Sequence, residues 1–307
     1  MIYGLDIGGT KTEIAIFDSQ LNQVDNWRVP TPKDDYELFI SRLSTMVLEA
    51  DKKFNVVGTL GIGMVGVVDA EGRSVSANIP CANGKLIAED LQQRLQRPIA
   101  ISNDTRCFAL SEAAGGAGAG YARMFGAIIG TGAAGGLCIN GELYKSANGI
   151  AGEYGHHPLG APMQQKYNLP VLQCGCGLLG CLEKYISGPG LAYLYGFYSG
   201  KGDTSAPQCI GALRNNEPAA LEAFSCYMDI LGSSFASLVM DYDPDVIVVG
   251  GGMSQLDEVI SALPAAIKPH AFKGIKMPAV VRAKFGDSSG VRGAAILGSQ
   301  SVAGNQS

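Results

Sequence analysis

Tyr3-Gly4-Leu5-Asp6-Ile7-Gly8-Gly9-Thr10-Lys11-Thr12-Glu13-Ile14-Ala15-Ile16-Phe17 is the stretch whose reading decides the fold. Residues 3–5 are a short apolar strand, and residues 12–17 alternate polar and apolar as a second strand would. The Gly-Gly between them predicts a hairpin. The same grammar recurs further on. An apolar strand over 124–129 enters Gly130-Thr131-Gly132-Ala133-Ala134-Gly135-Gly136, and the apolar Leu137 leads into a second strand ending at the Asn140-Gly141 turn signal. The recurrence reads as a weak internal repeat whose halves are related by a pseudo-twofold. Each turn offers backbone amides and a threonine hydroxyl. Two such turns facing one cleft can grip a triphosphate without any positive surface.

The run from Gly130 to Gly135 also fits G-x-G-x-x-G, with Glu153 downstream as an acidic partner. A dinucleotide reading requires that motif to open a helix. Here a strand and a turn follow, which excludes it. A third glycine cluster, Gly250-Gly251-Gly252, ends an apolar strand over 244–249 and precedes a helix expected over 255–267. Close backbone access there suits the flat face of a nucleoside.

Between these marks the periodicity predicts a helix over 36–50, a strand over 59–68, a helix over 86–95 and a strand over 99–102. Asp104 stands at the end of that strand, where it can cap a helix running to about 114. The glycine-rich run 115–120 reads as a flexible junction. The expected lobes are 1–117 with 291–307, and 118–290, with the active-site cleft between them. Trp27, the single tryptophan, is expected on a sheet edge.

The chain has 307 residues, enough for two domains, and 47% of them are hydrophobic. A net charge of −5 with 23 Lys and Arg argues against nucleic-acid binding, which needs a basic face. No apolar stretch approaches the roughly 20 uncharged residues that cross a bilayer, so no membrane role is expected. Asp6 interrupts the segment where a signal peptide would be apolar, and a cytoplasmic location is expected.

Of the eight cysteines, Cys81, Cys107, Cys138, Cys209 and Cys226 are scattered and read as small buried hydrophobes. Cys174, Cys176 and Cys181 crowd one glycine-rich knuckle. Three thiols there can surround a tetrahedral zinc, with His156 or His157 as the fourth ligand. Such a site leaves no position for water and is structural in kind. It would fix the Glu153 loop against the Glu183 segment.

Asp6-Ile7-Gly8-Gly9-Thr10-Lys11, Asn103-Asp104, Gly130-Thr131-Gly132, Gly152-Glu153-Tyr154-Gly155-His156 and Cys174-Gly-Cys-Gly-Leu-Leu-Gly-Cys181-Leu-Glu183 together resemble the ROK family of sugar kinases and sugar-responsive repressors. Val29-Pro30-Thr31-Pro32, Asn78-Ile79-Pro80 and Gly286-Asp287-Ser288-Ser289-Gly290-Val291-Arg292-Gly293 are most similar to its N-acetylglucosamine kinases. The resemblance implies an α/β, actin/hexokinase-like (ribonuclease H-like) two-lobed fold with a structural zinc. It implies ATP-dependent phosphorylation of N-acetylglucosamine at O6, with Mg²⁺, by a homodimer. Asp104 would be the catalytic base. Gly66, Asn78, Asn103, Asp104, Glu153, His156 and Glu183 would hold the sugar. Gly4, Asp6, Gly8, Gly9, Thr10 and Lys11, and Gly130, Thr131, Gly132, Gly135, Gly136 and Leu137, would take the ATP phosphates, with Asp6 ordering the magnesium water shell. Gly251 and Gly252 would lie near adenosine. His156 would be the metal ligand beside Cys174, Cys176 and Cys181.

Two positions depart from the family pattern. Thr105-Arg106 stands where Ala-Asn is usual, and Val65 where a proline is usual. Both flank the sugar pocket, which keeps fructokinase and glucokinase as alternatives. A sugar-responsive regulator would carry a helix-turn-helix domain ahead of the first strand, which here begins at residue 2. Paired carboxylates also raise glycoside hydrolysis, but that leaves the paired glycine turns without a purpose.

Overall fold

The structure, a computed structural model, describes residues 1–304. The expectation for 305–307 lies outside the described residues. Two compact units are present. One holds Met1–Gly120, Gly136–Ala151 and the chain from Phe285 onward; the other holds Tyr121–Gly135 and Gly152–Lys284. Residues 136–151 group with the first unit rather than with 118–290, and the Arg106 guanidinium holds part of them there through Tyr144, Ser146 and Ala151.

In the first unit, β1 (Ile2–Ile7) and β2 (Lys11–Phe17) form the expected hairpin. An edge strand, β3 (Gln23–Pro30), adds to it. Its polar sequence hid it, and Trp27 on that edge packs against the core. Helix α1 (Tyr36–Phe54) is capped by Asp35, whose carboxylate accepts from the Leu38 N–H at 3.0 Å. Phe39, Ile40, Leu43, Met46, Val47 and Ala50 recur at helical spacing and are buried. They share one core with Leu5, Ile7, Ile14, Ile16, Leu60 and Ile62 from the sheet. The helix outruns the expected 36–50 and ends at Asn55, which is left-handed (φ 50°).

The expected strand over 59–68 breaks into β4 (Thr59–Met64) and β5 (Val67–Val68), with β6 (Ser74–Val75) pairing with β5. Then come α2 (Ile87–Leu95), β7 (Ile99–Asn103) and α3 (Asp104–Ala113). The sheet order is β3-β2-β1-β4-β7, with β1, β4 and β7 parallel. Run 115–120 is no loose junction. Gly116 and Gly118 donate their N–H groups to the Glu112 carbonyl, and Ala117 donates to the Glu112 carboxylate at 2.9 Å.

The second sheet has the order β10-β9-β8-β11-β12, an antiparallel β9–β10 pair and parallel β8, β11 and β12, which repeats the first sheet's plan. These strands are β8 (Arg123–Ile129), β9 (Ala133–Ile139), β10 (Glu142–Leu143), β11 (Val246–Gly250) and β12 (Ala279–Arg282); the division between units falls within β9. Residues 183–243, where the sequence pattern predicts no element, are largely helical. They contain α5 (Glu183–Ile186), α6 (Gly188–Ser199), α7 (Ala206–Arg214) and the 25-residue α8 (Pro218–Tyr242); α4 (Ala161–Tyr167) precedes them and α9 (Asp257–Ile267) follows β11. Helix α8 is long and apolar because it is a core helix, with its most apolar window 67% buried.

The chain returns to the first unit as α10 (Ser289–Gly304), a helix that glycine and small residues concealed. It packs flush on the first sheet. A Cβ on Gly4 would lie 2.0 Å from the Val291 carbonyl oxygen, and one on Gly61 would lie 1.9 Å from that of Ala294. Only glycine permits that approach.

Candidate active site

The C-terminal ends of the parallel strands in the first unit bring the expected carboxylates together. Register aligns Asp6 of β1 with Gly63 of β4, and Gly63 with Ser102 of β7, so Asp104 begins a helix two residues beyond that row. Burial, then the Asp104 charge, lifts Asp6 from 3.8 to about 7. Burial also raises Asp104, against the Thr105 N–H bond that favours its charged form.

The cap of α3 is Asn103, not Asp104. The Asn103 Oδ1 accepts from the N–H groups of Thr105 and Arg106 at 2.8 and 3.2 Å, and its Nδ2 donates to the Gly66 carbonyl at 2.7 Å. An extended residue ahead of the helix can aim its side chain back at those amides, whereas Asp104 already has helical backbone. The Asp104 carboxylate accepts instead from the Thr105 N–H at 2.9 Å. Gly66 sits at φ +102°, and a Cβ there would lie 2.3 Å from the Val75 carbonyl oxygen, so the backbone requires glycine at that point.

The first glycine turn lies beside these groups. The Gly8 N–H donates to the Lys11 carbonyl at 3.0 Å, and the Thr31 hydroxyl donates to the Gly8 carbonyl at 2.8 Å. A Cβ on Gly9 would lie 2.9 Å from the Asn78 carbonyl oxygen, which places Asn78 at the turn. Thr10 and Lys11 are exposed at its mouth. Gly4 is elsewhere, buried in mid-strand under α10.

In the second unit the turn proper is Gly130–Gly132, closed by the Gly130 N–H donating to the Gly132 carbonyl at 2.8 Å. Gly135, Gly136 and Leu137 belong to β9, where pairing takes up the backbone. Gly251 and Gly252 abut this turn: a Cβ on Gly130 would lie 3.8 Å from the Gly252 nitrogen and 4.0 Å from the Gly251 Cα. A cavity of about 1050 Å³ opens from Thr131 and Gly252 and is walled by Tyr193, Phe197, Arg214 and Met253. A smaller one, about 370 Å³, lies between Thr131, Gln173 and Glu183.

His156, Cys174, Cys176 and Cys181 converge, with one ligand atom of each lying within 4.8 Å of all the others. The Cys176 and Cys181 sulfurs are 3.6 Å apart, and Cys174 Sγ is 3.8 Å from His156 Nδ1. A tetrahedral ion with metal–sulfur bonds of about 2.3 Å needs sulfurs about 3.8 Å apart, so the set fits. His157 is exposed and outside the set. The other His156 nitrogen, Nε2, is 3.8 Å from Glu153 Oε2, beyond hydrogen-bond distance. Backbone bonds stitch the two ligand-bearing segments: Leu159 N–H to the Gly180 carbonyl at 2.7 Å, and Leu182 N–H to that of His157 at 2.9 Å.

The sequence pattern that describes the ROK family matches residues 2–301. The chain belongs to the ROK family. It is 52% identical over 97% of its length, and 96% of the relative, to the N-acetylgalactosamine kinase AgaK of Shewanella sp. strain ANA-3. It is 42% identical to the N-acetyl-D-glucosamine kinase of Pectobacterium atrosepticum, covering 97% of this chain and 98% of that one. The ROK hexokinase of Thermus thermophilus superposes with a TM-score of 0.87 at 29% identity, covering 99% of both chains. The expected actin/hexokinase-like α/β fold is therefore present, and the protein is a ROK sugar kinase.

Within this ROK chain, the sequence analysis does not predict the aromatic pair on α6 or the bonds that Arg106 makes. Tyr193 and Phe197, four apart on α6, face the large cavity while Leu191, Leu194 and Tyr195 are buried. That split face was the available signal. Arg106, at a position departing from the family pattern, donates to the Tyr144 carbonyl at 2.6 Å, the Ser146 hydroxyl at 3.0 Å and the Ala151 carbonyl at 3.2 Å. It holds the segment that runs into Gly152-Glu153.

Proposed function

We propose that the protein transfers the γ-phosphoryl group of ATP to O6 of an N-acetylhexosamine. Phosphoryl transfer needs positioning and charge stabilisation above all. Asp104 takes the proton of the O6 hydroxyl. The observation that carries this role is its place beyond the strand ends beside Asp6, with a carboxylate whose proton affinity burial raises. Asn103, Glu153, His156 and Glu183 hold sugar hydroxyls, and Gly66 and Asn78 line the acetamido side. The turns at Gly8 and Gly130 hold the phosphates, and the cavity walled by Tyr193, Phe197 and Met253 takes the nucleoside. Mg²⁺, with its water shell ordered by Asp6, supplies charge neutralisation on the phosphates. The Cys174, Cys176, Cys181 and His156 set holds a structural zinc. The enzyme works in the cytoplasm as a homodimer, on the family likeness.

N-acetylgalactosamine is the preferred epimer in this reading, because the relative of that name shares 52% identity against 42% for the N-acetylglucosamine kinase. N-acetylglucosamine, the sugar expected from sequence, is the second reading. A coupled ADP assay over both, with N-acetylmannosamine, glucose and fructose, tests this. Both leading acetamido sugars are expected to outrun glucose and fructose, and phosphorus NMR is expected to place the product phosphate on O6. Preference for fructose or glucose overturns the acetamido assignment; phosphate on O1 overturns the assignment of the reacting hydroxyl.

A further inference from the structure

The second glycine turn is gripped by both segments that carry the metal-ligand set. From the Cys181 side, Glu183 Oε2 accepts from the Ala133 N–H at 3.0 Å, and the Gly188 N–H donates to the Gly130 carbonyl at 2.8 Å. The contact is close: a Cβ on Gly132 would lie 2.6 Å from Glu183 Oε2. From the His156 side, Tyr154 donates its hydroxyl to the Ile128 carbonyl at 2.9 Å, and a Cβ on Gly155 would lie 2.0 Å from the Ala133 carbonyl oxygen. The other oxygen of Glu183 is 4.0 Å from Cys174 Sγ. Every partner named belongs to one compact unit.

We propose that Glu183 is a positioning residue that couples the Cys/His metal set to the phosphate turn, so that an occupied metal set shapes Gly130–Ala133 for a nucleoside polyphosphate even when no sugar is bound. The physical cause is over-determination. A four-residue glycine-rich turn has many conformations of its own. Here one charged acceptor and one backbone donor fix its two ends, and a metal would lock the segments that present them. The inference rests on the kinase reading given above and adds a nucleotide role to a residue assigned there to sugar.

Calorimetry of MgADP binding to the metal-loaded protein, without sugar, tests it. Glu183→Ala is expected to weaken binding about tenfold, the scale of one lost charge-assisted hydrogen bond. Glu183→Gln, whose amide oxygen still accepts from Ala133, is expected to retain most of the affinity. Stripping the wild-type protein with a chelator is expected to weaken MgADP as Glu183→Ala does, and added zinc to restore it. Should Glu183→Ala fail to fold, Gly132→Ala pushes the carboxylate aside and is expected to show the same loss. Unchanged MgADP affinity in Glu183→Ala or in stripped protein, with sugar binding alone impaired, overturns the coupling and leaves the kinase reading standing. A wild-type protein that binds no MgADP overturns both.

Discussion

At Gly8 the turn is closed by its own neighbourhood. The Gly8 N–H reaches the Lys11 carbonyl, the Thr31 hydroxyl reaches the Gly8 carbonyl, and the Thr31 N–H donates to the Thr10 carbonyl at 3.1 Å. At Gly130 the local bond from the Gly130 N–H to the Gly132 carbonyl is joined by groups from much further along the chain, Glu183 and Gly188. The first turn therefore forms whenever the three-stranded edge of its sheet forms, using uncharged hydroxyls and strand pairing. The second takes its shape from a carboxylate on a short helix that begins beside a cysteine of the metal set. Two stretches of similar sequence are thus held by different physics, one local and one tertiary.

The largest expected effect lies outside both turns and so separates grip from chemistry. Asp104→Asn is expected to lower kcat by about 100- to 10,000-fold, the range for positioned acid–base catalysis, while calorimetric affinities for sugar and nucleotide hold. Near-normal turnover would remove Asp104 from the base role. A smaller effect tests the local turn. Thr31→Val removes the hydroxyl that bonds Gly8 and lies 2.9 Å from the Thr12 hydroxyl. A loss of about 1 kcal/mol is expected, read as roughly a fivefold rise in the KM for ATP that chelators do not reproduce. If chelation and Thr31→Val gave the same kinetic signature, the contrast between the turns would fail.

A third test is a pH dependence of stability centred on Asp6, at the end of β1. Asp6 titrates near 7 in the folded chain against 3.8 when unfolded, so the native state binds the extra proton between those values. Its contribution to stability is complete below the unfolded value and disappears as pH rises through about 7. The melting temperature of the ligand-free wild type, compared with Asp6→Asn, is expected to fall across that window. A constant difference between the two proteins would show that Asp6 does not titrate there.

Local pattern carried much of the site. The hairpin at 2–17, the strand before Asp104, the two glycine turns and the Cys/His set were all legible, because each rests on period-two alternation, turn chemistry or ligand type within a short window. The helices over 184–243 were not, since Tyr, Leu, Gly and Ser are interleaved there and several faces are buried at once. Helix α10 was hidden for a related reason: its glycines and alanines serve close packing on Gly4 and Gly61, not helix propensity.

The sequence by itself determined which atoms the chemistry has available: a carboxylate after a strand, amides in glycine turns, three thiols near an imidazole. The tertiary structure alone decided what each of those groups spends itself on. It gave the α3 cap to Asn103, the metal-ligand geometry to His156 rather than His157, and one oxygen of Glu183 to the Ala133 amide. The reason is that hydrogen bonds and ligand geometry depend on distances of a few ångströms between segments far apart in the chain, and residue order does not contain those distances.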